Sequence, residues 1–87
     1  MIKIQYYTCG GVGEMNIDIV QFVLNHGVID LKKLIKKVVL RSIDPAVTVN
    51  EMRNELTDVR LNKDFCKDNK RFIAKYEKAI ELLQGVL

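Results

Sequence analysis

Residues 30–41 read DLKKLIKKVVLR, and their pattern decides much of the predicted fold. Apolar residues recur there at i, i+3, i+4, i+7 and i+8, the spacing that places side chains on one face of an α-helix. They are Leu31, Leu34, Ile35, Val38 and Val39. Lysines fill the positions between them, without a carboxylate. The stretch therefore predicts a helix over about residues 31–42, capped by Asp30, with one apolar face and one positively charged face.

The positive face is the first candidate functional surface. The basic residues of this helix are Lys32, Lys33, Lys36, Lys37 and Arg41. The last predicted helix adds Arg71, Lys75 and Lys78. Clustered basic residues bind the phosphates of nucleic acid or the carboxylates of an acidic protein. Two ordinary interpretations remain open: a solvated helix face, or lysines that face the acidic row Glu51, Glu55 and Asp58 of the next helix.

Length and composition predict one small domain over residues 1–87. The chain is 48% hydrophobic and carries a formal charge of +3, which suits a packed core and an acidic partner. Its two cysteines, Cys9 and Cys66, have no metal-site spacing, and we expect free thiols in a reducing cytoplasm. The N-terminus has no signal-peptide pattern, and no uncharged run approaches the roughly 20 residues that span a bilayer. We therefore expect no membrane partner.

The first 26 residues predict a strand followed by an ambiguous segment. Ile2, Ile4 and Tyr6 alternate with more polar residues, which predicts a strand over residues 2–8. Residues 12–26 fit a helix that is capped by Asn16 and ends near Gly27. They also fit a β-hairpin in which residues 12–20 pair with the first strand. The helix is our first interpretation, and the hairpin is the alternative.

The second half of the chain predicts two further helices. Thr48 and Glu51 match a capping box, which predicts a helix over about residues 49–61. Asn62, in a turn with left-handed backbone, resets the apolar register before a last and longest helix, about residues 64–84. The predicted core residues are Leu34, Val38, Met52, Leu56, Phe72, Tyr76 and Ile80. The fold class is then α+β and mainly helical: a short N-terminal strand or β-hairpin, followed by three to four packed amphipathic helices.

The chain has few residues suited to catalysis. His26 is the only histidine, and its position at a predicted helix C-terminus favours contact with free carbonyl groups. Cys9 lies beside glycines without a histidine in its sequence neighbourhood to activate it. The carboxylates are scattered over helix faces. We therefore expect a protein that is not an enzyme, with no cofactor, no metal and no small-molecule substrate.

Gly10-Gly11-Val12-Gly13 resembles part of the deviant Walker A loop of ParA/MinD-type ATPases, KGGVGK[ST]. The resemblance implies a loop whose backbone amides face a phosphate. It covers four residues. Cys9 and Glu14 stand where that family has lysines, and Met15 stands where it has the hydroxyl residue. An ordinary glycine-rich turn is the favoured interpretation.

The segment from Asp30 to Arg60 resembles the opening of winged-helix and helix-turn-helix regulators. Its basic helix, its turn at Pro45 and the capped stretch TVNEMRNEL carry the resemblance, which implies DNA binding. The glycine of the usual turn is missing after Leu56, and no base-reading residue can be carried over.

Two functions follow as hypotheses. The first is a small protein-binding regulator or inhibitor module, which binds a protein partner or a second copy of itself. Its interface residues would be Leu40, Leu82, Leu83 and Val86. The alternative is a nucleic-acid-associated regulator that contacts phosphates through the lysine-rich helix. Small chains rich in lysine and isoleucine are common in phages and mobile elements, an association that would suit either function.

Overall fold

The chain begins with a β-hairpin. A computed structural model describes residues 1–86, and in it β1 (Ile2–Thr8) pairs antiparallel with β2 (Gly11–Ile17). The predicted first strand is confirmed. Both interpretations of residues 12–26 are confirmed in part: the residues up to Ile17 form the second hairpin strand, and a helix follows, beginning at Ile19 and not directly after Asn16. The register explains the outcome: Ile17 lies opposite Ile2 and Met15 opposite Ile4, so that both strands bury apolar residues on one face.

The part of the ambiguous segment that follows β2 forms a short helix, α1 (Ile19–Asn25). Asp18 caps it, and its carboxylate accepts a hydrogen bond from the Gln21 N–H at 3.2 Å. The predicted cap, Asn16, is exposed and lies within β2. Ile19 and Val23 are fully buried, which anchors α1 on the core.

The lysine-rich segment forms α2 (Val28–Lys37), followed by a 3₁₀ turn at Val39–Arg41. Gly27 precedes the helix with a φ of 99°, a value that favours glycine. Asp30 therefore lies in the first helical turn and is not the cap that the sequence predicts. The helix also ends earlier than predicted. The buried Ser42 hydroxyl donates to the Val39 carbonyl at 2.6 Å and so closes the 3₁₀ turn that follows the helix.

The next helix, α3 (Pro45–Leu61), begins before the predicted capping box. Asp44 is the cap, accepting from the Val47 N–H at 3.2 Å, and Pro45 occupies the first turn, where its missing N–H costs nothing. Thr48 is already inside the helix. Its hydroxyl is buried and donates to the Asp44 carbonyl at 3.1 Å, so the predicted Thr48 cap is wrong.

The predicted last helix is divided into two. The structure contains α4 (Lys63–Asp68), a 3₁₀ turn (Lys70–Phe72) and α5 (Ile73–Gln84), and α3 is longer than either helix. Asn62 caps α4 by accepting from the Phe65 N–H at 3.0 Å, with extended rather than left-handed backbone. Asn69 causes the division, because its amide donates to the Phe65 carbonyl at 3.0 Å where the helix ends.

The core lies where the base of the hairpin meets α1, α2, α3 and α5. Met52, Leu56 and Tyr76 are fully buried, as predicted. Four other predicted core residues are only partly buried: Leu34, Val38, Phe72 and Ile80. On α2 the buried positions are instead Leu31 and Ile35, followed by Val39 in the 3₁₀ turn. The core face of α2 is therefore rotated by part of a turn from the predicted one.

The hairpin turn replaces the phosphate loop that the Walker A resemblance implies. Cys9 and Gly10 form a two-residue loop, and Gly11 has a φ of 137°. A strand follows the glycines, so no helix N-terminus faces this loop. Gly13 allows the Tyr6 ring to pack directly on its backbone, because a Cβ at this position would lie only 2.7 Å from Cζ of Tyr6.

Tyr76 joins three helices. Its side chain on α5 is fully buried, and its hydroxyl donates to the Val20 carbonyl of α1 at 3.1 Å. Its ring meets that of Phe65 on α4 edge to face, with centroids 5.5 Å apart. Burial, and secondarily the Asp18 carboxylate, raises the pKa of Tyr76 above its ordinary value.

Tyr76→Phe should remove a pH-dependent part of the stability. The unfolded chain releases the phenol proton near pH 10, whereas the folded chain retains it to higher pH, so the wild type loses free energy of unfolding as pH rises above about 10. At neutral pH the free energy of unfolding of Tyr76→Phe should be about 1 kcal/mol lower than that of the wild type, because the hydrogen bond is missing. Above pH 10 the free energy of unfolding of the variant should fall less steeply with pH. Urea unfolding across pH checks this, with exposed Tyr7→Phe as the control. Parallel profiles for wild type and Tyr76→Phe would contradict it.

Gly11→Ala should destabilise the hairpin, whereas Gly10→Ala should not. Gly11 has a φ that an L side chain rarely adopts, and the strain should cost about 1–3 kcal/mol. Gly10 lies next to it, outside the positive-φ region, and a Cβ there meets no atom within 4 Å. Its alanine variant should remain within about 0.5 kcal/mol of the wild type. Chemical denaturation of both variants measures the difference, and equal losses would show that the backbone of Gly11 is not the cause.

Candidate functional site

The exposed sides of α2 and α5 form a groove. One part of it has a volume of about 330 Å³ and is lined by Lys32, Ile35, Lys36, Leu40, Leu82 and Val86. An adjoining part of about 440 Å³ is lined by Val28, Lys32, Lys78, Glu81, Leu82, Gly85 and Val86. Lys32, Leu82 and Val86 line both parts. We therefore treat them as one continuous surface, the α2–α5 groove.

Helical spacing explains why these residues share the groove. Lys32, Lys36 and Leu40 follow one another at intervals of four residues, and so do Lys78, Leu82 and Val86. Residues four apart lie on the same helix face, which groups Lys32 with Lys36 on α2 and Lys78 with Leu82 on α5. Leu40 lies in the 3₁₀ turn after α2, and Val86 lies just beyond the end of α5. The two rows lie beside buried rows, Leu31 and Ile35 on α2 and Ala79 and Leu83 on α5. Each groove row is therefore placed at the margin of the contact between the two helices.

Apolar side chains form much of the groove surface. Leu40 is 47% exposed, and Leu82 and Val86 are partly buried. These are three of the four residues that the sequence singles out as a protein interface. The fourth, Leu83, is 1% exposed and packs in the core. It lies one position from Leu82, and this step turns its side chain from the groove toward the interior.

Lysines flank this apolar surface. Lys32, Lys36 and Lys78 line the groove, and Glu81 is its only acidic lining residue among residues 1–86. Lys33, Lys37 and Arg41 are exposed and do not line it. The basic residues of α2 thus fall into two sets, one beside the apolar side chains and one on open surface.

No carboxylate of residues 1–86 forms an ion pair with the lysines of α2. The ion pairs within this range are Met1–Glu55, Lys3–Glu14, His26–Asp30 and Arg60–Glu77. The acidic row of α3 does not neutralise α2: Glu55 lies 3.3 Å from the amino terminus, and Glu51 lines a separate depression that also contains Lys3. The lysines beside the groove therefore have no ion-pair partner among residues 1–86.

Arg71 and Lys75 are placed around an aromatic ring. The Arg71 guanidinium lies 4.7 Å and the Lys75 ammonium 5.5 Å from the centroid of Phe72. Lys75 also donates to the Leu24 carbonyl at 3.4 Å, near the C-terminus of α1. Neither residue lines the groove. Of the three basic residues that the sequence singles out on the last helix, only Lys78 joins the lysines of α2.

The candidate reactive side chains lie apart from one another and from the groove. His26 ends α1, as the sequence predicts, with its ring 4.7 Å from that of Phe22 and its Nδ1 3.7 Å from Oδ2 of Asp30. Cys9 is exposed at the hairpin turn. Cys66 lies with its Sγ 3.1 Å from the Arg60 carbonyl, and both thiols are free. Residues 1–86 contain no group of three or more potential metal ligands.

The sequence pattern does not reveal the floor of the groove. Val28 and Ile35 line it because α5 leaves part of each accessible, and only the pairing of α2 with α5 determines this. The interval of four in Lys78, Leu82 and Val86 is the signal that could have grouped the α5 row. A second exposed apolar pair, Tyr7 opposite Val12, lies on the hairpin, and neither residue lines the α2–α5 groove.

No described helix has the length and apolarity needed to cross a membrane. No protein-family model, curated protein or solved structure matches the chain. The α2–α5 groove, with its apolar surface and its lysines, is therefore the feature from which a function can be argued.

Proposed function

We propose that the chain is a non-enzymatic protein-binding module, a regulator or inhibitor, that binds its partner through the α2–α5 groove. The observation that carries the proposal is the accessible apolar surface of Leu40, Leu82 and Val86, beside lysines that have no ion-pair partner in residues 1–86. Burial of apolar surface provides affinity at protein interfaces, while peripheral charges orient the partner. We also propose a cytoplasmic location, which the free thiols of Cys9 and Cys66 support.

The apolar residues favour a protein over a nucleic acid. Phosphate binding rewards positive charge, and it gains little from leucine and valine side chains at the contact. Grooves between helices that combine an apolar floor with charged margins are a common mode of peptide recognition. The combination of Leu82 and Val86 with Lys32 and Lys36 suits such a ligand.

A photo-crosslinking amino acid at Leu40 should form a covalent adduct with the partner in cells that naturally produce the protein. Leu40 lies in the groove and is half exposed, so its replacement should leave the core intact. The matched control is the same amino acid at Leu61, which is 73% exposed at the end of α3 and outside the groove. Discrete protein adducts from position 40, but not from position 61, are the expected result, and gel mobility with mass spectrometry detects them.

Two further results decide the experiment. Leu82→Glu should abolish the adduct from position 40, because it places a charge on the groove floor while Leu83 and the core remain. Adducts of equal yield from positions 40 and 61, or none from either, would contradict a protein-binding groove. An adduct that nuclease digestion removes would assign the surface to nucleic acid.

A nucleic-acid-associated regulator is the alternative function. The observation that favours it is that Lys32, Lys33, Lys36 and Lys37 are all exposed without an ion-pair partner in residues 1–86. Contacts through these lysines would not discriminate between sequences, because a lysine does not form the forked base contact of an arginine.

The alternative predicts strongly salt-dependent binding to duplex DNA. Four neutralised phosphates should give a slope of log K against log salt of roughly −3.6. Lys33→Glu with Lys37→Glu should then flatten the slope as much as Lys32→Glu with Lys36→Glu, because phosphates would contact all four. Fluorescence anisotropy over a salt series measures both variants. Absence of salt-sensitive binding by the wild type would remove this function.

A further inference from the structure

We infer that the occupant of the α2–α5 groove is an acidic amphipathic helix of a partner protein. Its apolar residues would contact Leu40, Leu82 and Val86, and its carboxylates would face Lys32, Lys36 and Lys78. This inference rests on the proposed function and specifies the chemistry of its partner.

The shape of the groove fits a helix. Its two rows each extend over nine residues, 32–40 and 78–86. The α-helical part of each row, up to Lys37 and Gln84, spans roughly 8–9 Å along the helix axis, about one and a half turns. Lys78 lines the part of the groove that contains Val28, and Leu40 lines the other part, while Leu82 and Val86 line both. The groove is therefore elongated between the two helices. A third helix can pack into the furrow between two such neighbours.

The lining groups favour a helix over an extended peptide. An extended peptide gains affinity from a sheet edge that pairs with its backbone N–H and C=O groups, and the groove is formed by helices. A helix satisfies its own backbone hydrogen bonds and presents only side chains. The apolar residues that line the groove would then meet leucine or isoleucine residues of the partner at i, i+3 or i+4, and i+7.

The charges specify the margins of that helix. Lys32 and Lys36 lie on the α2 side of the groove and Lys78 lies on the α5 side. Among residues 1–86, Glu81 is the sole acidic lining residue. Glutamate or aspartate residues beside the apolar stripe of the partner would therefore be attracted, and lysine or arginine residues would be repelled. Three lysines against one glutamate leave a net positive margin.

The same charges disfavour a second copy docked face to face. In a symmetric dimer both copies use the same surface, so each copy would bring the same net positive charge of Lys32, Lys36 and Lys78 to the interface. Like charges opposed across an interface weaken association. An acidic amphipathic helix from a different protein would cover the apolar residues of the groove and would place carboxylates opposite its lysines.

Three labelled synthetic peptides test the inference with the intact protein. The first is an amphipathic peptide of about 16 residues, with leucines at i, i+3, i+4 and i+7 and glutamates flanking them. The second has lysines in place of the glutamates. The third has the composition of the first in a scrambled order without a helical stripe. The acidic amphipathic peptide alone should bind, with a Kd on the order of 10–100 µM for so small a contact.

Charge-reversal variants connect binding to the groove. The double variant Lys32→Glu with Lys36→Glu should raise the Kd of the acidic peptide by about tenfold or more and should allow the lysine peptide to bind. The matched control is Lys33→Glu with Lys37→Glu, which makes the same change of net charge on the same helix but outside the groove. It should alter the Kd by no more than about twofold at physiological salt. Circular dichroism establishes that both variants are folded.

Several results would overturn the inference. Equal weakening by the two variant pairs would show attraction to overall charge, and equal binding of the scrambled peptide would show that no helix is recognised. A dimer of the wild type that Leu40→Asp converts to a monomer would identify a second copy as the occupant. If the acidic peptide does not bind while position 40 still forms a partner adduct, the proposed function stands and this partner chemistry is wrong. If the acidic peptide does not bind and position 40 forms no partner adduct, the proposed function is wrong as well.

Discussion

The packing of α5 against three other helices is the interaction on which the rest of the structure depends. Its buried row is Tyr76, Ala79 and Leu83, and all three residues are almost completely inaccessible. The small side chain of Ala79 allows close approach of a neighbouring backbone, while Tyr76 extends to the carbonyl of Val20. α5 contacts α1, α2 and α3. Removal of this row would separate the elements that enclose the core and would also remove one wall of the groove.

Periodicity predicts the helical segments of this chain well and their boundaries poorly. The stripe within residues 30–41 indicates a helix, because five apolar residues at helical spacing have no competing interpretation. Residues 12–17 fit two periods at once. The hairpin forms because Ile17 and Met15 then pair with strand neighbours that face the core, a tertiary gain that a local pattern does not contain. Asp44 and Asn69 act through single hydrogen bonds at helix ends, and such bonds shift a boundary without altering the apolar pattern.

The members of the candidate site could be predicted, but their arrangement could not. Lysines with leucine among them are visible in the sequence of α2, and the apolar end of α5 is equally visible. Their union into one groove depends on α2 lying against α5, which residues more than 40 positions apart determine. Leu83 shows the limit of such prediction, because a rotation of one residue separates an interface side chain from a core side chain. The division of the lysines into groove and open surface has the same origin.

The β-hairpin has a consequence for the behaviour of the protein at high concentration. β2 pairs only with β1 among the described residues, so its outer edge presents backbone groups to which another strand could add. No residue from Gln5 to Asn16 is buried, and the two glycines that begin this strand weaken its tendency to extend a sheet. Glu14 lies at the centre of the edge strand and pairs with Lys3 of β1 at 3.2 Å, so a strand that added to this edge would meet charged side chains. The strand that carries the least core packing thus has local protection against edge-to-edge aggregation.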